Sequence, residues 1–402
     1  MKRKRVVVLG ATGSIGQSAL KVAHDIPDRM EIVGLAAHSN AEKLAAAANK
    51  VRASAVCLVD ESRIETLRGA LNYEPRIFSG EEGLLEIATM AEADMVLVAI
   101  VGTAGLRPAL AAIASGKDLA VASKEILVMA GEIVMREART KGVHILPVDS
   151  EHNAIFQCLE GKRSTLIARR SASDVDDVRR IILTASGGPF RETPSQAFDS
   201  ITVDQALKHP TWNMGPKITI DSATLFNKGL EMIEAHWLFG VEMKRVEVII
   251  HPQSIVHSMV EFFDGSVLAQ LSHSDMCFPI QYAVTWPDRV RNSLPPLDFG
   301  TLSKLEFFQP RYDDFPALNL ARQAGDAGGT MPAVLNAANE AAVEAFLQRR
   351  LNFSMIWGVV EQVMKRHTTV ANPDLDAILQ ADQWARAEAT AAIGTNQQAS
   401  RI

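Results

Sequence analysis

Asp149, Ser150, Glu151, His152 and Asn153 follow an apolar run at 143–148 that reads as a buried strand. If the strand continues through them, Asp149 and Glu151 put their carboxylates on one face, because side chains alternate across a strand. Two such carboxylates repel unless something positive sits between them, and a divalent cation is the economical partner. A polar strand end that merely carries two acids would read the same way. Further on, Asn227, Lys228, Glu231 and Glu234 recur three and four apart in a helical pattern that ends at Gly240, with Asp221 or Ser222 as its N-cap. Either this is a solvated face with a Lys–Glu pair worth about 0.2–0.5 kcal/mol, or it is a site face. In the second case Asn227 and Lys228 serve a phosphate and Glu231 a metal. Between these stretches, Ala185-Ser186-Gly187-Gly188-Pro189 follows a strand at 180–184 and resembles a backbone nest for an anion. Lys208 to Lys217 holds two prolines, a glycine and Trp212, the composition of a loop. Its tryptophan is either a lid or contact residue, or tucked into core.

The elements that must position these groups begin with a strand at 5–9, the turn Gly10-Ala11-Thr12-Gly13-Ser14-Ile15-Gly16 and a helix at 17–25. A strand, a glycine turn and a helix N-terminus offer close backbone approach and free N–H groups to a phosphate. The spacing is G-x-x-G-x-x-G, and a merely tight turn is the competing reading. The second strand, 31–37, ends in His38, Ser39 and Asn40 with no carboxylate to repel a 2′-phosphate, which favours NADP over NAD. Strands at 55–59, 95–100, 118–122 and 143–148 alternate with helices at 83–91, 108–115 and 126–140. This alternation predicts a Rossmann-like, doubly wound parallel sheet, whose ligands bind at the carboxyl ends of the strands. Three polar clusters fall at such ends: Thr12 to Ile15, Ser123-Lys124-Glu125, and Asp149 to Glu151.

The polar stretch 161–180 reads as a solvated excursion. Strands at 246–250, 254–263 and 266–271, with a hairpin turn at Asp264-Gly265, complete a central α/β region, in which His257 reads as structural. Residues 291–314 read as a linker, and from 315 alanine-rich helical patterns dominate, ending in a polar tail from about 394 that is expected to be disordered. The expected division is a nucleotide-binding domain at 1–150, a catalytic domain at 151–290 with a flexible lid near 205–217, the linker, and a C-terminal helical domain at 315–402.

Composition narrows the function further. The 402 residues are 47% hydrophobic and 22% charged, with a net charge of −6, which argues against a general nucleic-acid binder. Three widely spaced cysteines, Cys57, Cys158 and Cys277, show no metal spacing and fit a reducing compartment. No apolar run reaches membrane-spanning length, and the expected setting is the cytoplasm without a membrane partner.

The motifs together resemble one family, the 1-deoxy-D-xylulose 5-phosphate reductoisomerases. The resemblance rests on the turn at 10–16, Ser-Lys-Glu at 123–125, Val-Asp-Ser-Glu-His-Asn-Ala at 148–154 and Thr-Ala-Ser-Gly-Gly-Pro-Phe at 184–190. It continues through His-Pro-Thr-Trp-Asn-Met-Gly-Pro-Lys at 209–217, Asp-Ser-Ala-Thr-Leu-Phe-Asn-Lys-Gly-Leu-Glu at 221–231, His-Pro-Gln-Ser-Ile-Val-His-Ser at 251–258 and Asn-Ala-Ala-Asn-Glu-Ala-Ala at 336–342. Ser123, where some relatives carry asparagine, and the missing basic residue at 38–39 depart from the pattern, and both touch cofactor binding. The resemblance implies a rearrangement of the sugar phosphate followed by reduction with NADPH, a divalent Mg or Mn, and a homodimer. It implies that Asp149, Glu151 and Glu231 form the metal site, and an all-carboxylate donor set favours Mg or Mn over Zn. Lys124 and Ser150 then face the substrate's polar oxygens. Ser186, Ser222, Asn227 and Lys228 hold its phosphate with catalytic His209 beside them, and Trp212 and Met214 close over it. Thr12, Gly13, Ser14, Ile15, His38, Ser39, Asn40, Ser123, Glu125 and Gly215 fall to the cofactor. Two other readings compete. A semialdehyde dehydrogenase would need an activated thiol, for which Cys158 is the candidate. A non-catalytic NADP sensor would not need three carboxylates and a phosphate cradle.

Overall fold

The computed structural model describes residues 3–160, 176–212 and 214–399, with side chains through 394. Most of the 161–180 stretch, together with Asn213, lies outside the described residues. The chain divides into two compact units, 1–126 with 134–170 and 275–297, and 127–133 with 171–274 and 298–402.

The first unit is built on a seven-stranded sheet in which every pairing is parallel. Its strands are β1 (Lys4–Leu9), β2 (Met30–Ala37), β3 (Ala55–Leu58), β4 (Arg76–Ser79), β5 (Met95–Val98), β6 (Asp118–Val121) and β7 (Ile145–Pro147), in the order β4-β3-β2-β1-β5-β6-β7. β3 and β5 are buried at every residue, as expected of strands covered on both faces. Helices α1 (Ser14–Asp25), α2 (Ala41–Val51), α3 (Ile64–Ala70), α4 (Gly80–Ala88) and α5 (Leu106–Ala114) are the crossovers. α6 (Glu125–Lys141) and α7 (Ser150–Cys158) follow β6 and β7. α2, α3 and β4 are not among the elements expected from the sequence; the buried face of α2 is four alanines and one leucine, and β4 is four residues long and partly exposed, so the apolar signal of each is small. The parallel doubly wound sheet stands as expected.

β7 does not run on through the acids. It stops at Pro147, Asp149 becomes the N-cap of α7, and Glu151 sits in its first turn. The correction has a physical reason. A helix N-terminus carries a partial positive charge, so it accommodates adjacent carboxylates better than a strand face does.

The second unit holds a four-stranded sheet, β11-β10-β8-β9, of β8 (Val178–Ala185), β9 (Val246–Ile250), β10 (Val256–Phe262) and β11 (Val267–Leu271). β8 pairs parallel with β9, and the other pairs are antiparallel. Its helices are α8 (Val203–Ala206), α9 (Pro216–Thr224), α10 (Phe226–Phe239), the single turn α12 (Phe299–Leu302), and α13 (Ala317–Ala327), α14 (Met331–Leu347), α15 (Met355–Arg366) and α16 (Leu375–Ala399). α11 (Cys277–Thr285) belongs to the first unit, where it packs on α1. Two expectations fail here. The helix ending at Gly240 is not capped at Asp221 or Ser222: both lie inside α9, and Leu225, in the left-handed region at φ 63°, separates α9 from α10. A continuous helical period cannot reveal a single-residue break of this kind. The tail from 394 is helical through Ala399 rather than disordered. Among the described residues no helix is long and apolar enough to cross a membrane.

Candidate active site

In the first unit the predicted polar clusters fall at the carboxyl ends of β1, β6 and β7, where α/β sheets place ligands. β1 and β5 are neighbours, so the turn after β1 lies at the switch in strand order. Gly10 has φ +93°, and a Cβ there would sit 2.5 Å from Ala99 O. A Cβ on Gly16 would lie 2.5 Å from the Ala11 backbone, so this glycine lets α1 pack against the turn. Gly13 is the N-cap of α1, and no side chain closes that N-terminus. Thr12 to Ile15 therefore lie on backbone shaped for a pyrophosphate.

After β2, His38, Ser39 and Asn40 are exposed. Asn40 Oδ1 accepts from Lys43 N at 3.0 Å and caps α2. The backbone bond from Asp60 N to His38 O (2.7 Å) brings an acid to this edge, but Asp60 Oδ1 is engaged by Ser62 Oγ and N at 2.6 and 3.1 Å.

At the end of β6, Ser123 Oγ donates to Glu125 Oε2 at 3.0 Å, so these two residues form one buried unit. Lys124 is 6% exposed and its Nζ lies 2.5 Å from Asp149 Oδ2. The structure thus joins the second and third clusters through a partly buried ion pair. Ser150 Oγ donates to Glu151 Oε2 at 2.5 Å. Two carboxylates at one helix N-terminus, beside an ammonium and with no thiol, suit a hard divalent cation.

In the second unit, β8 leads into Ser186, Gly187 (φ +83°) and Gly188 (φ +67°), and Gly188 N donates to Ser186 Oγ at 3.2 Å. His209 Nε2 lies 3.1 Å from both Ser186 Oγ and Ser222 Oγ. Its Nδ1 accepts from the Thr211 and Trp212 N–H groups at 3.1 and 2.9 Å, which fixes the neutral tautomer with the proton on Nε2. Burial lowers the His209 pKa from 6.5. Stability from this arrangement is therefore present above 6.5 and lost as pH falls through the lowered folded value, because protonating Nδ1 removes both accepted bonds. The amide resonances of Thr211 and Trp212 are expected to titrate together with a midpoint below 6.5. A midpoint at or above 6.5, or the same titration in His209→Ala, contradicts this.

The face carrying Asn227, Lys228, Glu231 and Glu234 is not solvated. Lys228, Glu231 and Glu234 are 3%, 0% and 1% exposed. Asn227 Nδ2 donates to Glu231 Oε1 at 2.5 Å, and Lys228 Nζ bonds Glu231 Oε2. The helix therefore buries a lysine–glutamate pair, which excludes the reading of a solvated face. Trp212 and Met214 are half-buried on the loop that precedes α9. Gly215 is the N-cap of α9. The sequence reading missed Lys217 and Asn339, both of which bond the Asp221 carboxylate. Only the 336–342 motif hinted at the second.

The thiol reading finds no activated cysteine. Burial pushes Cys158 up to about 11, Cys57 to about 12 and Cys277 to about 11, where none is a ready nucleophile.

Family models match in three consecutive stretches. These are 1-deoxy-D-xylulose 5-phosphate reductoisomerase at 6–131, its C-terminal domain at 145–239, and the DXP reductoisomerase C-terminal domain at 271–388. The chain is 51% identical over 385 residues to 1-deoxy-D-xylulose 5-phosphate reductoisomerase of Pelotomaculum thermopropionicum, covering 95% of this chain and 97% of that one. Its structure is similar to that of the Zymomonas mobilis reductoisomerase in complex with NADPH, with TM-score 0.89, 42% identity and coverage of 98% and 99%. It is also similar to a DOX-P reductoisomerase in complex with NADPH, fosmidomycin and magnesium, with TM-score 0.91, 39% identity and coverage of 98% and 99%. With a glycine turn, a strand-end lysine and carboxylates, and a buried lysine–glutamate pair in the places those matches span, the chain belongs to the 1-deoxy-D-xylulose 5-phosphate reductoisomerase family.

Proposed function

We propose that the protein rearranges 1-deoxy-D-xylulose 5-phosphate and reduces the product to 2-C-methyl-D-erythritol 4-phosphate, an early step of non-mevalonate isoprenoid synthesis, with NADPH and Mg or Mn. The observation that carries the reading is family membership at 51% identity across 95% of the chain. Bound together, the metal supplies Lewis acidity toward the substrate's carbonyl and hydroxyl oxygens, and NADPH supplies hydride.

The chain's own residues do the rest. Asp149, Glu151 and Glu231 hold the ion, and Lys124 keeps the Asp149 carboxylate oriented while offering its ammonium to a substrate oxygen. Ser150 adds a hydroxyl. Ser186, Ser222, Asn227 and Lys228 hold the phosphate at a point remote from the reacting carbons, so its binding energy orients them. His209 fixes the two serine hydroxyls. Trp212 and Met214 cover the substrate and exclude water from the reactive aldehyde. The proposed functional division keeps a nucleotide-binding part at 1–150, a catalytic part within 151–290 and a helical part at 315–402, with 291–314 as linker and a lid near 205–217. Residues 275–297, however, belong to the first compact unit and not with the rest of 151–290.

A cytoplasmic setting is supported by three free cysteines. A homodimer is supported by β11, an edge strand on which Val267 and Leu268 are each 48% exposed, since an open apolar edge invites pairing. NADPH oxidation with the phosphorylated deoxyxylulose, with and without divalent cation, tests the assignment. Metal-independent turnover, or none with both present, overturns it.

Catalytic efficiency is expected to be at least tenfold higher with NADPH than with NADH, because no free acid follows β2 and Asp60 is committed to Ser62. Comparable efficiencies would remove His38, Ser39 and Asn40 from cofactor selection without touching the reaction.

A further inference from the structure

We propose that Asp221, gripped by Lys217 and Asn339, is a positioning residue that sets the phosphate-holding end of α9 and α10, and that α14 acts on substrate binding through Asn339. The inference rests on the reading of Ser222, Asn227 and Lys228 as phosphate-holding residues.

The Asp221 side chain is 2% exposed, and both its oxygens are used. Oδ1 accepts from Asn339 Nδ2 at 2.8 Å, and Oδ2 pairs with Lys217 Nζ at 2.6 Å. A lysine in the first turn, four residues before its acid, is the less favourable order for helix stability. A buried ion pair is also often no better than apolar packing for stability. Neither bond is explained as support for α9 alone, whereas both fix where α9 lies.

What depends on that position is the cradle. Ser222 is the next residue, with its hydroxyl 3.1 Å from His209 Nε2. The Thr224 carbonyl at the end of α9 accepts from Trp357 Nε1 of α15 at 3.1 Å. One left-handed residue, Leu225, then starts α10, so Asn227 and Lys228 take their direction from α9. Lys217 lies two residues beyond Gly215, so its bond ties the end of the 208–215 loop to the same carboxylate. Asn339 is fully buried on a braced helix: Asn336 Nδ2 bonds Glu340 Oε1 at 3.2 Å, and Glu340 Oε2 accepts from Arg386 of α16 at 2.6 Å. The Asn-Ala-Ala-Asn-Glu run thus has a task at the site, although it lies more than a hundred residues downstream.

The test is steady-state kinetics at saturating NADPH and Mg for Asn339→Ala, Asn339→Asp, Lys217→Gln and the exchange Asp221→Asn with Asn339→Asp, with thermal midpoints alongside. Asn339→Ala and Lys217→Gln are expected to raise the sugar-phosphate KM on the order of tenfold, with kcat within about threefold. Competitive inhibition by inorganic phosphate weakens in parallel. Asn339→Asp, which sets two carboxylates together, raises KM further, and the exchange lowers it again by restoring an amide–carboxylate pair. A merely structural role would lower the thermal midpoints and leave KM of the folded variants unchanged, which overturns the proposal. If Asn339→Ala fails to fold, Lys217→Gln decides, since that side chain is 23% exposed. An inactive wild type removes the functional reading; an active wild type with unchanged KM in the variants removes this inference alone.

Discussion

Glu231→Gln is expected to lower metal-dependent turnover by at least 10- to 100-fold, the size of loss seen even when a group behind a ligand is removed. Glu231 is fully buried, and its carboxylate accepts from two donors, Asn227 Nδ2 and Lys228 Nζ. Glutamine keeps the shape but has one acceptor oxygen, so its amide must face one of those donors with a donor of its own. It also withdraws the charge that a cation needs. The thermal midpoint should fall, because losing one member of a buried ion pair costs about 3–5 kcal/mol. NADPH affinity should persist, since the turn at Thr12 to Ile15 is untouched. Metal titration of turnover, NADPH binding and the midpoint check the three parts separately. Normal metal dependence in the variant would reduce Glu231 to a structural partner of Lys228.

The second large effect is Lys124→Met, for which kcat/KM is expected to fall about 10²- to 10³-fold, the usual loss on removing one charge-stabilising donor from a dry site. Lys124 is 6% exposed at the end of β6, and its ammonium is 2.5 Å from Asp149 Oδ2. Methionine keeps the length of the stem. It removes the group that orients Asp149 and the donor offered to the substrate. Lys124→Arg should not restore activity, because the bulkier guanidinium overfills a site shaped around a buried ammonium and cannot place a single donor at the same point. Turnover within tenfold of wild type in Lys124→Met would leave only a salt bridge at this position.

The parallel sheet was legible because strands such as β3 and β5 are apolar throughout and separated by helical lengths, a pattern that depends only on local order. The glycine turn was legible for the same reason. The carboxylates of Asp149 and Glu151 were found as residues, but their element was misread, since a strand that stops at Pro147 and a helix that starts at Ser150 leave no gap in the polarity pattern. The break at Leu225 was invisible because left-handed geometry there is imposed by surrounding packing and not by a glycine. The burial of Lys228, Glu231 and Glu234 removes the solvated-face reading that periodicity had left open. Asn339 could not be paired with Asp221 from the sequence, because a contact between positions 118 apart has no local signature.

The central proposal is that Asp149, Glu151 and Glu231 hold one divalent cation. Anomalous scattering from crystals grown with Mn²⁺ tests it most directly. The account predicts one manganese peak bonded to oxygens of all three carboxylates, with Asp149 still beside Lys124. Manganese on Asp149 and Glu151 alone, with Glu231 remaining on Lys228 and Asn227, or no manganese at these residues, would contradict it.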